Sequence, residues 1–246
     1  MSSKPTWNGW IKASTINGCN AALTHWQKSF RRVTPSRRSM SSRSTRFARP
    51  AALVICAAAM LAGCATSPAP RPAERAQAPI NLPPVPQVEI PDAAFNDFAA
   101  ALNALKRGNT AAAESALRTM TRNYPQIAGP YSNLAGILAE RGDDDEALDM
   151  IRQAVERNPR SAPAYNLQGL LERRAGNFDA AEQAYRKALA ADATFTDAQR
   201  NLGILYDLYL RKPGKALDAY RAYQDMIAEP DETVGIWIAD LERRTK

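Results

Sequence analysis

Three glycines, Gly108, Gly142 and Gly176, stand 34 residues apart. Ala113, Ala147 and Ala181 keep the same step, as do Leu117, Ile151 and Tyr185, and Pro125 with Pro159. A fixed period of that length constrains the fold more than composition does. Each period is one supersecondary unit that cannot bury its apolar face alone, so the units must stack. A fourth unit follows with a one-residue insertion, marked by Gly203, Tyr206, Ala216 and Tyr220. The stretch RKPGKAL, residues 211–217, reads as a rephased turn with Pro213 opening the next helix. Small residues recur where the two helices of a unit must approach: Ala101 with Ala113, Ala135 with Ala147, Gly169 with Ala181, Gly203 with Ala216. Large side chains, among them Tyr131, Leu134, Tyr165 and Leu202, fill the seams between units. The last unit needs a lid, and DETVGIWIADLERR, residues 231–244, offers Val234, Trp237, Ile238 and Leu241 on one helical face.

This period, with AYNLQGLLERRAGNFDAAEQAYRKALAAD at residues 164–192, resembles the tetratricopeptide repeat, a helix–turn–helix of 34 residues. The resemblance implies an all-α fold, a right-handed α-solenoid of about four repeats over 94–127, 128–161, 162–194 and 195–228. A capping helix over 231–244 closes it. The resemblance also implies a concave groove lined by the first helix of each unit, where family members bind extended or helical peptide segments. On this chain that groove gathers Phe98, Leu102, Asn133, Asn166, Leu170, Arg173, Arg200 and Asn201, flanked by Phe95, Ser132, Gly136 and Ile204. An amide such as Asn133 or Asn201 can pair with both the N–H and the C=O of a bound backbone. Arg173 and Arg200 can hold a carboxylate, although the family's carboxylate-clamp set of basic residues is incomplete here.

The front of the chain carries an address. Arg43, Arg46 and Arg49 precede an apolar segment running from Ala51 to about Leu61, too short for the ~20 residues a membrane span needs. Leu61, Ala62, Gly63 and Cys64 then resemble the bacterial lipobox, in which the cysteine is lipidated and the signal is cleaved just before it. From Met40 the signal, 40–63, is 24 residues long. Residues 1–39 are read as an upstream extension of a mis-set start. Ala65 follows Cys64 in place of the aspartate that retains many such lipoproteins in the inner membrane. The expectation is therefore an outer-membrane protein, lipid-anchored and facing the periplasm. Residues 64–91 form a proline-rich tether, with eight prolines between 65 and 91. Fully extended, these residues reach roughly 80 Å. Within the tether, INLPPVPQVEI (80–90) carries spaced apolar side chains and is read as spacer, with packing onto the domain or binding a partner as the alternatives.

Removal of the front changes the chemistry available. The formal charge of +7 suggests a polyanion partner. Yet ten of the 32 Lys and Arg residues and none of the 25 Asp and Glu residues precede Cys64. The remainder carries 22 basic against 25 acidic residues, a balance of −3, and the argument for nucleic acid goes with the front. The only histidine, His25, and the cysteines Cys19 and Cys56 leave too. What remains has no imidazole and no free thiol for nucleophilic catalysis or a His/Cys metal site, and it has no glycine-rich phosphate loop. The densest carboxylate cluster, GDDDEAL (142–148), sits at a helix start. There Asp143 is expected to cap, and Asp144, Asp145 and Glu146 to face the positive helix end.

The chain is thus expected to be non-enzymatic, with no cofactor and no metal. It is read as a scaffold or adaptor that docks protein or peptide segments of envelope complexes. The alternatives are the pilotin type of lipoprotein in type IV pilus biogenesis and a cell-wall enzyme using carboxylates only.

Overall fold

The computed structural model describes residues 79–245. The readings for the start, the signal and Cys64 lie outside the described residues. The described ones form α-helices in sequential pairs: α1 (Asp92–Lys106) with α2 (Thr110–Asn123), α3 (Ala128–Arg141) with α4 (Asp144–Arg157), and α5 (Ala162–Arg174) with α6 (Phe178–Ala191). A fourth pair is α7 (Thr196–Ile204), continued by a π-helical turn Leu205–Tyr209, with α8 (Pro213–Asp225). A last helix, α9 (Glu232–Arg244), packs on α8. Each helix packs on the next, and the first helices of neighbouring pairs also touch, α3 on α5 and α5 on α7. No strand occurs among the described residues. This is the expected all-α solenoid.

The periodic residues now have physical roles. Gly108, Gly142 and Gly176 turn the chain between the helices of the first three units with φ of 74°, 93° and 84°, a region costly for residues with a Cβ. The small-residue pairs are buried at the helix crossings, with Ala101, Ala113, Ala135, Ala147, Ala181 and Ala216 at zero exposure. Tyr185 and Tyr220 fill the corresponding space in the third and fourth units. A Cβ on Gly169 would lie 2.5 Å from the Tyr185 ring, and one on Gly203 would lie 2.5 Å from the Tyr220 ring. Where the second helix supplies Leu117 or Ile151 instead, the first helix carries Ala101 or Ala135.

The inserted residue is absorbed differently from the sequence reading. The turn does not take it. The first helix widens into the π-helical turn Leu205–Tyr209, which accommodates one extra residue without breaking the helix. Arg211, at φ 53°, then occupies the place that glycine holds in the other units. Pro213 does open α8. A buried carboxylate holds the widened segment: Tyr206 donates to Glu182 at 3.0 Å, and Lys212 Nζ lies 3.8 Å from the same carboxylate.

Asp143 corrects a second expectation. It stands at the N-cap of α4, but its side chain caps no N–H and pairs with Arg141. The neighbouring carboxylates stitch units together: Arg174 donates to Asp144 at 2.6 Å, and Arg118 to Glu146 at 2.8 Å. Asp144, Asp145 and Glu146 do occupy the first turn of α4, as expected for the positive helix end.

The lid is built as expected in outline. Asp231 caps α9 by accepting from the N–H groups of Thr233 (2.9 Å) and Val234 (3.2 Å), while Gln224 makes two hydrogen bonds to the Asp231 backbone. Val234 and Leu241 are fully buried; Trp237 and Ile238 pack on the core half-buried. The spacer reading of 80–90, in contrast, does not hold throughout. Leu82 is buried and Ile80 half-buried in a cluster with Ala162, Tyr165, Ala188 and Ala198, and Ile90 packs on the main core. The reason is burial: branched apolar side chains spaced among prolines gain more from an apolar surface than from water.

Candidate functional site

The eight groove residues lie on the first helices α1, α3, α5 and α7, as their repeat positions require. Six of them are buried: Phe98, Leu102, Asn133, Asn166, Leu170 and Asn201. Only Arg173 and Arg200 are half-exposed. The inner face is therefore not a uniformly open polar trough. Toward the front of the solenoid it is closed by its own packing, because Phe98 lies against Gly129 so tightly that a Cβ there would come within 2.9 Å of the ring. Asn133 spends its amide on the Gly129 carbonyl at 3.0 Å. Of the flanking residues, Ser132 is buried, and Phe95, Gly136 and Ile204 are half-buried.

The polar chemistry concentrates in the third and fourth units. Asn201 donates to Asn166 Oδ1 at 3.0 Å, joining α5 to α7. Asn166 Nδ2, Arg173 Nη1 and the Tyr185 hydroxyl are buried atoms with no hydrogen-bond partner among the described residues. Such orphans are uncommon, since each forfeits about 1–3 kcal/mol of desolvation. Asn166 and Arg173 are seven residues apart on α5, two turns and hence the same face, roughly 10 Å along the axis. Tyr185 comes from α6 beneath them, within electrostatic range of Arg173 and Tyr209.

Aromatic rings frame these donors. The Arg173 guanidinium lies 5.6 Å from the centre of the Tyr209 ring, and that of Arg200 lies 5.8 Å from the Trp237 ring. Trp237 in turn tilts against Tyr220 at 5.4 Å, and Tyr209 against Phe178 at 5.1 Å. Arg244 adds a third cation, donating to Asp207 at 3.0 Å. Burial pushes the phenols of Tyr185 and Tyr220 well above their ordinary range, even with Arg173 nearby, so both stay neutral donors and acceptors. Asp197, in the first turn of α7, is pushed up by burial, only partly offset by Arg200. The combination suits a chain segment that brings carbonyl or carboxylate oxygens to the donors and apolar surface to the rings.

Tyr209 and Trp237 were not among the groove residues read from sequence. Trp237 was legible only as core of the lid. Tyr209 sits in the π-helical turn, so the one signal that could have found it is the single-residue insertion that rotates it onto this face. Among the described residues, no group of three or more His, Cys, Asp or Glu side chains is arranged to hold a metal ion. Likewise no helix among them is long and apolar enough to cross a membrane.

Comparison with known proteins agrees with this geometry at the level of the fold. Residues 126–194, the second and third units, match the family model of the tetratricopeptide repeat. No curated protein sequence matches the chain. Among solved structures, PilF of Pseudomonas aeruginosa is similar with a TM-score of 0.57 and 23% identity, covering 63% of this chain and 69% of that one. MamA from Desulfovibrio magneticus RS-1 gives 0.54 and 19%, covering 64% and 88%. A thermophilic TPR protein of Thermus thermophilus gives 0.52 and 24%, covering 60% and 80%. At these identities the likeness concerns the fold alone. The described chain thus has the fold of a tetratricopeptide-repeat solenoid, with the family's signature carried by residues 126–194.

Proposed function

We propose that this chain is a non-enzymatic scaffold that holds a segment of a partner protein against α5 and α7, and that it does so in the periplasm, anchored to the outer membrane through a lipid on Cys64. The observation that carries the binding reading is the pair of half-exposed cations on the inner helices, Arg173 and Arg200, each beside an aromatic ring, Tyr209 and Trp237. A guanidinium so placed takes a carbonyl or carboxylate oxygen while the neighbouring ring takes apolar surface. The partner belongs to a cell-envelope assembly, because the sequence addresses the chain there.

The anchor reading is supported by the lipobox LAGC behind a basic and then apolar segment. A single acyl chain holds only marginally, whereas two or more hold stably. Against catalysis stands the disposition of the carboxylates. Glu114 accepts from Arg118 and Arg141, Asp144 from Arg174, and Glu242 from Arg221, pairs with arginine that run along one helix or tie one helix to the next. The pilotin alternative draws nothing further from PilF, since that likeness concerns the fold alone.

Two measurements test the proposal. Cys64→Ser moves the protein from the membrane pellet to the soluble fraction; a mutant that still pellets in high salt removes the anchor. Arg173→Ala with Arg200→Ala, both half-exposed, abolishes co-purification of the envelope partner while the melting temperature stays near that of the parent; undiminished recovery removes the binding site.

A further inference from the structure

The segment expected to be spacer carries a second, independent surface. Four prolines, Pro79, Pro83, Pro84 and Pro86, keep residues 79–86 extended and leave few N–H groups to satisfy. At one end Leu82 is only 9% exposed, and with Ile80 it sits among Ala162, Tyr165, Ala188 and Ala198. These four come from the start of α5, the end of α6 and the start of α7, and Phe195 at the N-cap of α7 packs with them. They form the edge where the third unit hands over to the fourth, not the inner face: none of the eight groove residues is in this cluster. At the other end Ile90 packs on the main core just before α1. Eight residues of polyproline-like chain reach about 25 Å. The strap therefore runs from the third unit back to the first, with Pro83, Pro84, Pro86, Gln87, Val88 and Glu89 exposed between its two ends.

Its attachment is side-chain burial alone. Among the described residues no hydrogen bond joins residues 79–90 to a helix. The Tyr165 ring of the cluster also has Lys187 Nζ 5.8 Å from its centre. A surface that holds two apolar side chains by burial, and nothing through backbone pairing, takes the same pattern equally well from another chain. The solenoid does not need it for helix pairing, because α5, α6 and α7 pack on one another directly.

We infer that the edge formed by Ala162, Tyr165, Ala188 and Ala198 is a docking surface for extended, proline-containing segments with two branched apolar side chains two residues apart, and that residues 80–82 are its resident, exchangeable occupant. A competing segment of that chemistry binds when the strap lifts, and the strap sets the affinity by competing for the same surface.

The test uses the full chain and a fluorescent peptide of the sequence of residues 79–91. The wild-type protein binds this peptide weakly. Leu82→Asp, which lifts the strap, and the milder Leu82→Ser both bind it at least tenfold more tightly, while a peptide with the same Leu→Asp change does not compete. Adding Arg173→Ala with Arg200→Ala to Leu82→Ser leaves peptide affinity unchanged, which separates this surface from the inner face. Equal affinity in wild-type and Leu82→Ser, or no binding by either, overturns the inference. A Leu82→Ser protein that no longer folds overturns it too, because the strap is then part of the core rather than an occupant.

Discussion

The ring of Tyr185 lies where a side chain on residue 169 would have to be, with the Tyr185 Cε1 atom 2.5 Å from the ideal Cβ position of Gly169. The pair is a choice between two solutions to one packing problem. The first two units use alanine on the first helix with an aliphatic residue on the second, and the last two use glycine with tyrosine. Gly169→Ala should therefore overpack the third unit and cost about 1–3 kcal/mol. Gly169→Ala combined with Tyr185→Ile, the arrangement of the second unit, should cost less than the two single changes added together, by about 1 kcal/mol or more. Urea denaturation of the four proteins measures this; strict additivity would contradict the packing assignment.

Arg211 occupies the left-handed turn at φ 53° that the other units give to glycine, and its side chain is exposed. A residue with a Cβ gives up roughly 1–2 kcal/mol in that region, part of which glycine returns through the greater freedom of its unfolded chain. Arg211→Gly should raise stability by about 1 kcal/mol, read as a shift of the urea midpoint at unchanged slope. A loss of stability would mean that the arginine side chain holds the turn.

Asp197 supplies a pH dependence. Burial raises its pKa above the ordinary 3.8, so the folded protein keeps this proton longer than the unfolded chain does. Stability attributable to Asp197 accordingly falls as pH rises from 3.8 through the raised value, and the whole penalty is present at neutral pH. Asp197→Asn should melt higher than the parent at pH 7, and the gap should close below pH 3.8. A gap that widens on acidification would reverse the assigned direction.

The lid is tested by a contrast within α9. Leu241 is fully buried against the preceding pair, while Ile236 on the same helix is 69% exposed. Leu241→Ala should cost about 2–5 kcal/mol. Ile236→Ala should stay within about 0.5 kcal/mol of the parent. Thermal melts of both variants at matched concentration settle it, and equal effects would contradict the docking of α9.

The fold was largely legible because a repeat states its packing several times over. The 34-residue step of Gly108, Gly142 and Gly176 could be read directly as turns, and the buried small residues as helix crossings. The insertion was visible as a count but not as a place. Sequence spacing cannot tell a longer turn from a widened helix, and the Glu182 contacts to Tyr206 and Lys212 that hold the π-helical turn come from another helix. The site was legible only by register. Position along the repeat put Asn166, Arg173, Arg200 and Asn201 on the inner helices, but not how deeply they are buried or that Tyr209 and Trp237 would stack on the arginines. The packing of segment 80–90 was illegible for a similar reason: proline content argues against helix and strand, and is silent on burial.

The central claim is that a partner protein lies against α5 and α7. It is met most directly by a photo-reactive amino acid placed in living cells at Leu208, exposed beside Tyr209, and for comparison at Arg152, exposed on α4. The account predicts a discrete crosslinked protein species from position 208, lost in the Arg173→Ala, Arg200→Ala background and missing from position 152. Equal adducts at both positions, or an adduct at 208 indifferent to those two substitutions, would contradict it.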